Sequence, residues 1–477
     1  MNFLVQPWDH QRKAIDKALA KIDERWACND LALFFDMGTG KTSTTINILR
    51  GTFAEEKRIM RTLILCPVVV CENWRREFKV HSKLGNKVIV LTGSQKQRIK
   101  TFLKYSSSDV IFVTNYEALT MSELLQEIVE WNPEILVCDE SQRLKNHEAK
   151  RTRQATLLAD LCKRRFILTG TPILNSPMDI FSQFRILDGG ATFGKNFFAF
   201  RATYFWDKNA GMPSNIHFPK WEARDEIEEL FNEKIYAKAM RVMKHECLDL
   251  PPFVRTEVYV ELAAEQARVY KEMEKEFITY LDDEACVAQI ALTKALRLMQ
   301  IVSGYVKTEE GNEIALPKNP RLDALEDLLE SIPRNEKTIV WTTFQENYRQ
   351  IASLCERMKL PYAQLHGGIG GKKRQEEIDR FQTDPACRVL IANQAAGGVG
   401  VNLTAASYAI FYARNFSLEQ DLQANDRNYR GGSEVHQKIT RIDMVAPGTI
   451  DEIILEALRT KKDMSERILA LKEMLKR

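Results

Sequence analysis

The sequence predicts an α/β protein with two parallel-sheet units of similar size, a mostly helical stretch between them and a closing helix. Three observations predict it. Runs of Val, Ile and Leu without polar alternation recur through the first third, as strands buried on both faces of a parallel sheet require. From about residue 190 to 320 the apolar spacing becomes helical, and from about 321 the buried-strand pattern returns.

In order, LALFF (31–35), TLILCPVVV (62–70), KVIVLTG (87–93), DVIFVTN (109–115), EILVCDE (134–140) and RRFILTG (164–170) are the strand candidates of the first unit. In the middle, Ala263, Ala267, Tyr270, Met273, Phe277, Tyr280 and Leu281 fall at helical spacing. The LPP at 250–252 divides this region into two helical blocks joined by the extended VRTEVYVEL. KTIVWTTF, YAQLH, CRVLIANQ, SYAIFYA and KITRIDMVA are the strands of the second unit. Two α/β halves of like size point to a duplicated fold rather than a short-period repeat. The last helix opens at TIDE, where Thr449 and Glu452 stand as a capping box.

At 477 residues the chain exceeds one ordinary core. Its 44% hydrophobic and 28% charged content fits a soluble globular protein. A net charge of +3 leans only weakly toward nucleic acid, so any such track is a local stripe of charge. Nine cysteines without a C-x-x-C pair or a Cys/His cluster argue against zinc and disulfides, and for reduced cytosolic thiols. The start, MNFLVQPWDH, lacks the basic lead and apolar core of a signal peptide. No apolar run approaches the roughly 20 residues that span a bilayer, so an intracellular protein is expected.

FFDMGTGKTST (34–44) lies between a buried strand and a helix, where unpaired N–H groups receive phosphate. Gly38 and Gly40 let the loop curl around Thr39, Lys41 would reach the β/γ-phosphates, and Thr42 would bind Mg²⁺. Phe35 stands where the strict pattern has its first glycine, so the loop alone is also compatible with a plain strand-to-helix turn. About a hundred residues on, EILVCDESQ ends a strand in two acids: Asp139 for Mg²⁺ and Glu140 to orient or deprotonate water. Adjacent acids at a strand end are alternatively a solvated terminus. Loop and acid pair together favour the phosphate reading.

GTGKT and DESQ, with LTGTPILNSPMDIFSQFRIL (168–187), CPVVVCENWRREF (66–78) and TNYEAL (114–119), resemble the superfamily-two helicases. LHGGIGGKKRQEEIDRFQ (365–382), AGGVGVNLTAA (396–406) and QANDRNYRGG (423–432) continue the likeness, specifically to the Swi/Snf-like DNA translocases. The resemblance runs in order from about Gln11 to Ile454. It implies two RecA-like lobes, at 1–189 and 321–446, with helical protrusions at 190–250 and 251–320 and a brace helix at 447–477.

It also implies an ATP- and Mg²⁺-dependent motor on double-stranded DNA, monomeric, without a membrane, and open to a protein partner that supplies targeting. A strand-separating helicase and a non-hydrolysing nucleic-acid clamp are the alternatives. Nucleotide is expected in a cleft, with the loop on one lobe and arginines on the other. Arg427 and Arg430, three apart on a helical stretch, would share a face toward the γ-phosphate. Gln11 matches the family's adenine-reading glutamine, and Gly400 and Gln423 resemble its cleft residues.

Implied nucleic-acid contacts are Asn73, Trp74, Thr114, Asn115, Arg143 and Lys145 in the first lobe, and Thr343, His366, Gly367, Asn402 and Thr404 in the second. For Trp74 core packing is an equal alternative. The aromatics of FFAFRATYFWDK (197–208) are expected in a protrusion core rather than as a base-stacking platform. Several positions depart from the family pattern: Val242 for a second arginine, Gln142 for histidine, FSL (416–418) for Trp-Asn-Pro, and Tyr429, Gly431 and Ser433. They suit a compact prokaryotic or viral member, and hence a cytoplasmic location.

Overall fold

Alternation of strand and helix begins at once in the first unit, Met1–Leu248, of the computed structural model. The structure describes residues 3–20, 30–173, 176–210, 221–224, 228–247, 249–282, 288–308, 312–397 and 401–460. Helix α1 (Asp9–Leu19) turns Gln11, Ala14, Ile15 and Ala18 inward. There follow β1 (Asp30–Phe35), α2 (Lys41–Glu56), β2 (Thr62–Cys66), α3 (Cys71–His81), β3 (Val88–Val90), α4 (Gln95–Tyr105) and β4 (Ile111–Asn115). Then come α5 (Ser122–Trp131), β5 (Ile135–Asp139), α6 (Lys150–Leu161), β6 (Arg164–Leu168) and α7 (Ile180–Asp188).

The seven-stranded sheet, with β9 (Ala239–Val242) at one edge, has the order β3-β4-β2-β5-β6-β1-β9, with every pair parallel. Burial is complete along β1, β2, β4 and β5, which explains their unbroken apolar runs. Parallel strands carry their carboxyl ends to one edge, so the segments after β1 and β5 emerge on the same side.

Residues 190–248 hold α8 (Phe197–Tyr204), the hairpin β7 (Phe205–Asp207) and β8 (Trp221–Ala223), and α9 (Glu228–Lys238). Phe200, Tyr204 and Phe205 pack with Phe193 and Phe231 in the core, whereas Phe198 and Trp206 stay exposed. One segment of the expected protrusion belongs elsewhere. Ala239–Val242 is β9, the edge strand beside β1, and a short helix α10 (Lys244–Cys247) follows it. Four residues with a mixed burial pattern carry too little apolar signal to read as a strand.

The second unit, Asp249–Arg477, opens with another such strand. VRTEVYVEL, read as an extended connection, is largely β10 (Phe253–Tyr259), paired over seven residues with β17 (Ile439–Val445). It is an edge strand, mostly exposed, so it lacks the buried-run signature. Next are α11 (Ala264–Asp282), α12 (Ala288–Val302), the hairpin β11 (Tyr305–Lys307) and β12 (Glu313–Ala315), and α13 (Pro320–Ser331).

The parallel sheet is completed by β13 (Thr338–Thr342), β14 (Tyr362–Leu365), β15 (Val389–Asn393), β16 (Tyr408–Phe411) and β17 (Ile439–Val445). Its order is β10-β17-β16-β13-β15-β14. Helices α14 (Gln345–Arg357), α15 (Gly371–Thr383), α16 (Gln394–Gly397), α17 (Leu418–Asn425) and α18 (Ile450–Thr460) connect or close it. Both faces are filled. Val340, Ile391, Ile410 and Ile442 enter one core, and Ile339, Trp341, Leu390 and Phe411 the other.

Tyr270 of α11 is buried and its hydroxyl accepts the Ile450 N–H at 2.8 Å, fixing the start of α18. The cap there is shifted from the expected box. Thr449 Oγ1 accepts from the Asp451 N–H (3.3 Å), while Glu452 takes the Gly448 N–H (3.1 Å). Among the described residues no helix is long and apolar enough to cross a membrane.

Candidate nucleotide-binding site

The missing glycine has a simple account. Phe35 is the last, fully buried residue of β1, and its carbonyl accepts Lys41 Nζ at 2.8 Å. Only Gly38 (φ 85°) and Gly40 (φ 88°) need the left-handed conformation that curls the loop onto α2. Thr39, fully buried, donates its hydroxyl to the Asp36 carbonyl at 2.7 Å. Lys41 is 9% exposed, and Thr42 beside it is half-buried.

From α1, Gln11 Nε2 donates to the Thr39 carbonyl at 3.2 Å, and its Oε1 accepts the Trp8 N–H at 3.1 Å. A Cβ on Gly40 would fall 2.0 Å from Gln11 Nε2, so glutamine and loop fit only with glycine there. His10, which sequence reasoning passed over, donates Nε2 to the same Thr39 carbonyl at 2.8 Å and sets its ring edge against Phe35. Its adjacency to Gln11 in PWDHQ was the available signal.

The acid pair ends β5. Asp139 Oδ2 accepts the Trp74 indole N–H at 2.9 Å, and Oδ1 accepts the Glu140 N–H at 3.0 Å. Tyr116 Oη donates to the Asp139 carbonyl at 2.6 Å. Glu140 adopts a left-handed backbone (φ 54°, ψ 53°), and its Oε2 accepts Gln142 Nε2 at 2.8 Å. Gln142 thus keeps a hydrogen bond to the acid without being able to titrate.

Burial, and then the Glu140 carboxylate, push the Asp139 carboxyl up to about 7, with the Lys41 ammonium opposing them. A buried carboxylate so disfavoured gains from a cation. The Asp139 carboxylate and Thr42 hydroxyl are the hard oxygen donors that suit Mg²⁺. The residues present therefore fit a Mg²⁺–nucleotide. Ser141 Oγ donates to Gln183 Oε1 (2.7 Å), whose Nε2 donates to the Pro172 and Asp179 carbonyls. Gln183, fully buried in the apolar α7, ties the acid turn to the LTGTP segment and was also missed.

In the second unit, α17 ends at Asn425, so Arg427 and Arg430 lie on the following turn and not on a shared helical face. Arg427 is 3% exposed, with Nη1 donating to the Val401 carbonyl and its own carbonyl accepting the Leu403 N–H. Arg430 is half-buried. Gln423 is buried on α17 and donates to Glu419. Gly400 lies outside the described residues.

The expected nucleic-acid contacts divide by burial. Trp74, Thr114 and Asn115 are interior residues rather than surface ones. Trp74 is 0% exposed, and Arg98 Nη1 donates to both Thr114 Oγ1 (2.9 Å) and Asn115 Oδ1 (2.7 Å). Asn73 on α3 is half-buried, as are Arg143, near Glu117 at 3.8 Å, and Lys145, paired with Asp179 at 3.5 Å.

Gly367 and Asn402 are exposed; Thr343, His366 and Thr404 are half-buried. The His366 ring stacks on Tyr348 with centroids 4.7 Å apart. Asn402 Oδ1 accepts the Thr404 N–H, and the Thr404 carbonyl accepts His436 Nε2.

Fold and loop define a nucleotide-binding α/β protein of the helicase-like kind. The profile described as SNF2-related domain matches residues 10–308, and that described as Helicase conserved C-terminal domain matches 320–432. The chain belongs to the SNF2-related family.

It is 26% identical over 492 residues to TATA-binding protein-associated factor mot1 of Aspergillus fumigatus, covering 91% of this chain and 25% of that one. It is 26% identical over 447 residues to the putative ATP-dependent helicase/translocase YwqA of Bacillus subtilis, covering 91% and 46%. The chain thus spans between a quarter and a half of the length of these relatives. The solved Sulfolobus solfataricus SWI2/SNF2 ATPase core in complex with dsDNA overlaps 99% of this chain and 94% of its own, at 24% identity and a TM-score of 0.44.

Proposed function

We propose that this chain is an ATP-hydrolysing motor that moves along double-stranded DNA and remodels DNA or DNA–protein complexes without necessarily parting the strands. The observation that carries this is the first unit's combination of a glycine-curled loop ending in Lys41 with the buried pair Asp139 and Glu140. Lys41 and the loop's N–H groups would hold the phosphates, and Gln11 would read the base edge. Thr42 and Asp139 would hold Mg²⁺, which when bound neutralises phosphate charge. Glu140 would orient water and take its proton, and Arg427 and Arg430 would supply positive charge to the transferring phosphoryl group.

Family membership supports the nucleic-acid half of the reading, together with the partly or fully exposed positions of Asn73, Arg143, Lys145, His366, Gly367, Asn402 and Thr404; the Thr343 hydroxyl is buried. Contacts of this kind grip phosphate and carry no base sequence, so binding should weaken steeply with salt. The test is phosphate release with duplex DNA, single-stranded DNA and RNA, side by side at fixed salt. Duplex DNA is expected to stimulate most, and triplex displacement to proceed where fluorescent strand unwinding does not. Unwinding of a forked duplex would make the chain a strand-separating helicase, and no hydrolysis on any nucleic acid would leave only a clamp.

A further inference from the structure

We propose that Trp74 is a positioning residue through which helix α3 sets the Asp139 carboxylate and relays nucleic-acid contact on its outer face to the metal-holding acid. This rests on the reading of the chain as a nucleic-acid-stimulated ATPase. Trp74 has no exposed surface, and its indole N–H, the side chain's one polar group, lies 2.9 Å from Asp139 Oδ2. The fully buried ring lies 6.2 Å from Phe78, one turn further along α3, so a shift of the helix carries the indole with it.

The two carboxylate oxygens are held from different places. Oδ1 takes the N–H of Glu140 in the same strand–turn segment, and the Asp139 backbone is fixed by Tyr116. Oδ2 depends on α3. A shift of α3 therefore changes one bond and leaves the other, which turns the carboxylate about its own axis. The same helix packs on α2, which begins with Lys41 and Thr42, and it carries half-buried Asn73 and exposed Arg76 outward, with Arg75 beside them paired to Glu72 at 2.8 Å. The outer face that would meet a phosphate backbone and the indole donor to the acid thus belong to one helix.

Phenylalanine would fill most of this space and donate nothing; benzothienylalanine would keep the full ring shape with sulfur in place of N–H. Trp74→Phe and Trp74→benzothienylalanine are compared with the unaltered full chain in three measurements. These are Mg²⁺ dependence of binding of a fluorescent ATP analogue without DNA, duplex affinity, and the ratio of duplex-stimulated to unstimulated hydrolysis.

Loss of an outer hydrogen bond to a metal ligand typically weakens the metal about 10- to 100-fold. The Mg²⁺ needed for half-maximal analogue binding is therefore expected to rise about tenfold or more. The stimulation ratio should fall while duplex affinity stays within a factor of about two, since Trp74 is not on the surface. Unchanged Mg²⁺ dependence in a folded variant overturns the positioning role, and an unchanged stimulation ratio overturns the relay. An unaltered chain that no nucleic acid stimulates would sink the motor reading instead, with the Mg²⁺ arm still deciding the role of Trp74.

Discussion

At the end of β5 two acids, Asp139 and Glu140, are buried with Lys41 as the neighbouring cation. On α17 and β17 two acids, Asp421 and Asp443, are buried among three arginines. Arg441 binds Asp421 through two nitrogens (2.8 and 3.0 Å) and Asp443 through Nε, while lying 3.7 Å over the Phe411 ring. Arg414 and Arg255 reach Asp443 at 3.0 and 2.6 Å. Burial pushes both Asp139 and Asp443 up, yet the three guanidinium groups hold Asp443 well below the ordinary carboxylate range. The same residue type is thus left wanting a cation in one unit and fully compensated in the other. The first arrangement suits chemistry and the second suits holding a fold.

Substitutions should separate the two. The largest effect is expected at Arg430, an arginine of the second unit outside the compensated cluster. Arg430→Ala should lower duplex-stimulated kcat by about 10³–10⁵. Glu140→Gln should lower kcat by about 10²–10⁴ while fluorescent-nucleotide binding persists, and undiminished phosphate release would remove it as the base. Asp443→Asn should do the reverse. Breaking a buried ion network costs about 3–5 kcal/mol, so denaturant unfolding of the second unit should shift strongly, and a shift under about 1 kcal/mol would refute the structural role.

A smaller effect concerns pH in the first unit. Arg58 donates twice to Glu134 at 2.7 Å and the Arg61 N–H once, holding that carboxyl down at about 2. A depressed carboxyl stabilises the fold above its ordinary pKa near 4.5 and loses that contribution as pH falls from there toward about 2. Arg58 is half-exposed, so the loss should be about 1–2 kcal/mol, and Glu134→Gln should flatten the acid limb of a melting-temperature profile. The smallest effect on stability is expected at Asp139→Asn. Relief of unfavourable burial offsets a lost hydrogen bond, leaving stability without nucleotide within about 1 kcal/mol while Mg²⁺-dependent nucleotide binding falls sharply.

What the sequence made legible follows from burial. LALFF and EILVC read as strands because both faces need apolar residues, whereas AMRV and VRTEVYV sit at sheet edges, where that demand lapses. Lys41, Asp139 and Glu140 could be singled out because their spacing from strand ends is local, and the structure puts them at the start of α2 and the end of β5. The burial of Trp74, Thr114 and Asn115 was not legible for the opposite reason. Their partners Asp139 and Arg98 are distant in sequence, and motif likeness does not say which way a side chain turns. Helix α17 ends at Asn425, two residues before Arg427, a boundary that helical spacing alone does not mark.

Glu140 keeps a backbone that an L-residue with a bulky side chain adopts reluctantly, at a cost of about 1–2 kcal/mol, whereas glycine or asparagine would take it with ease. A library screened for heat resistance alone should therefore enrich glycine or asparagine at position 140. The survivors would be sturdier and inert.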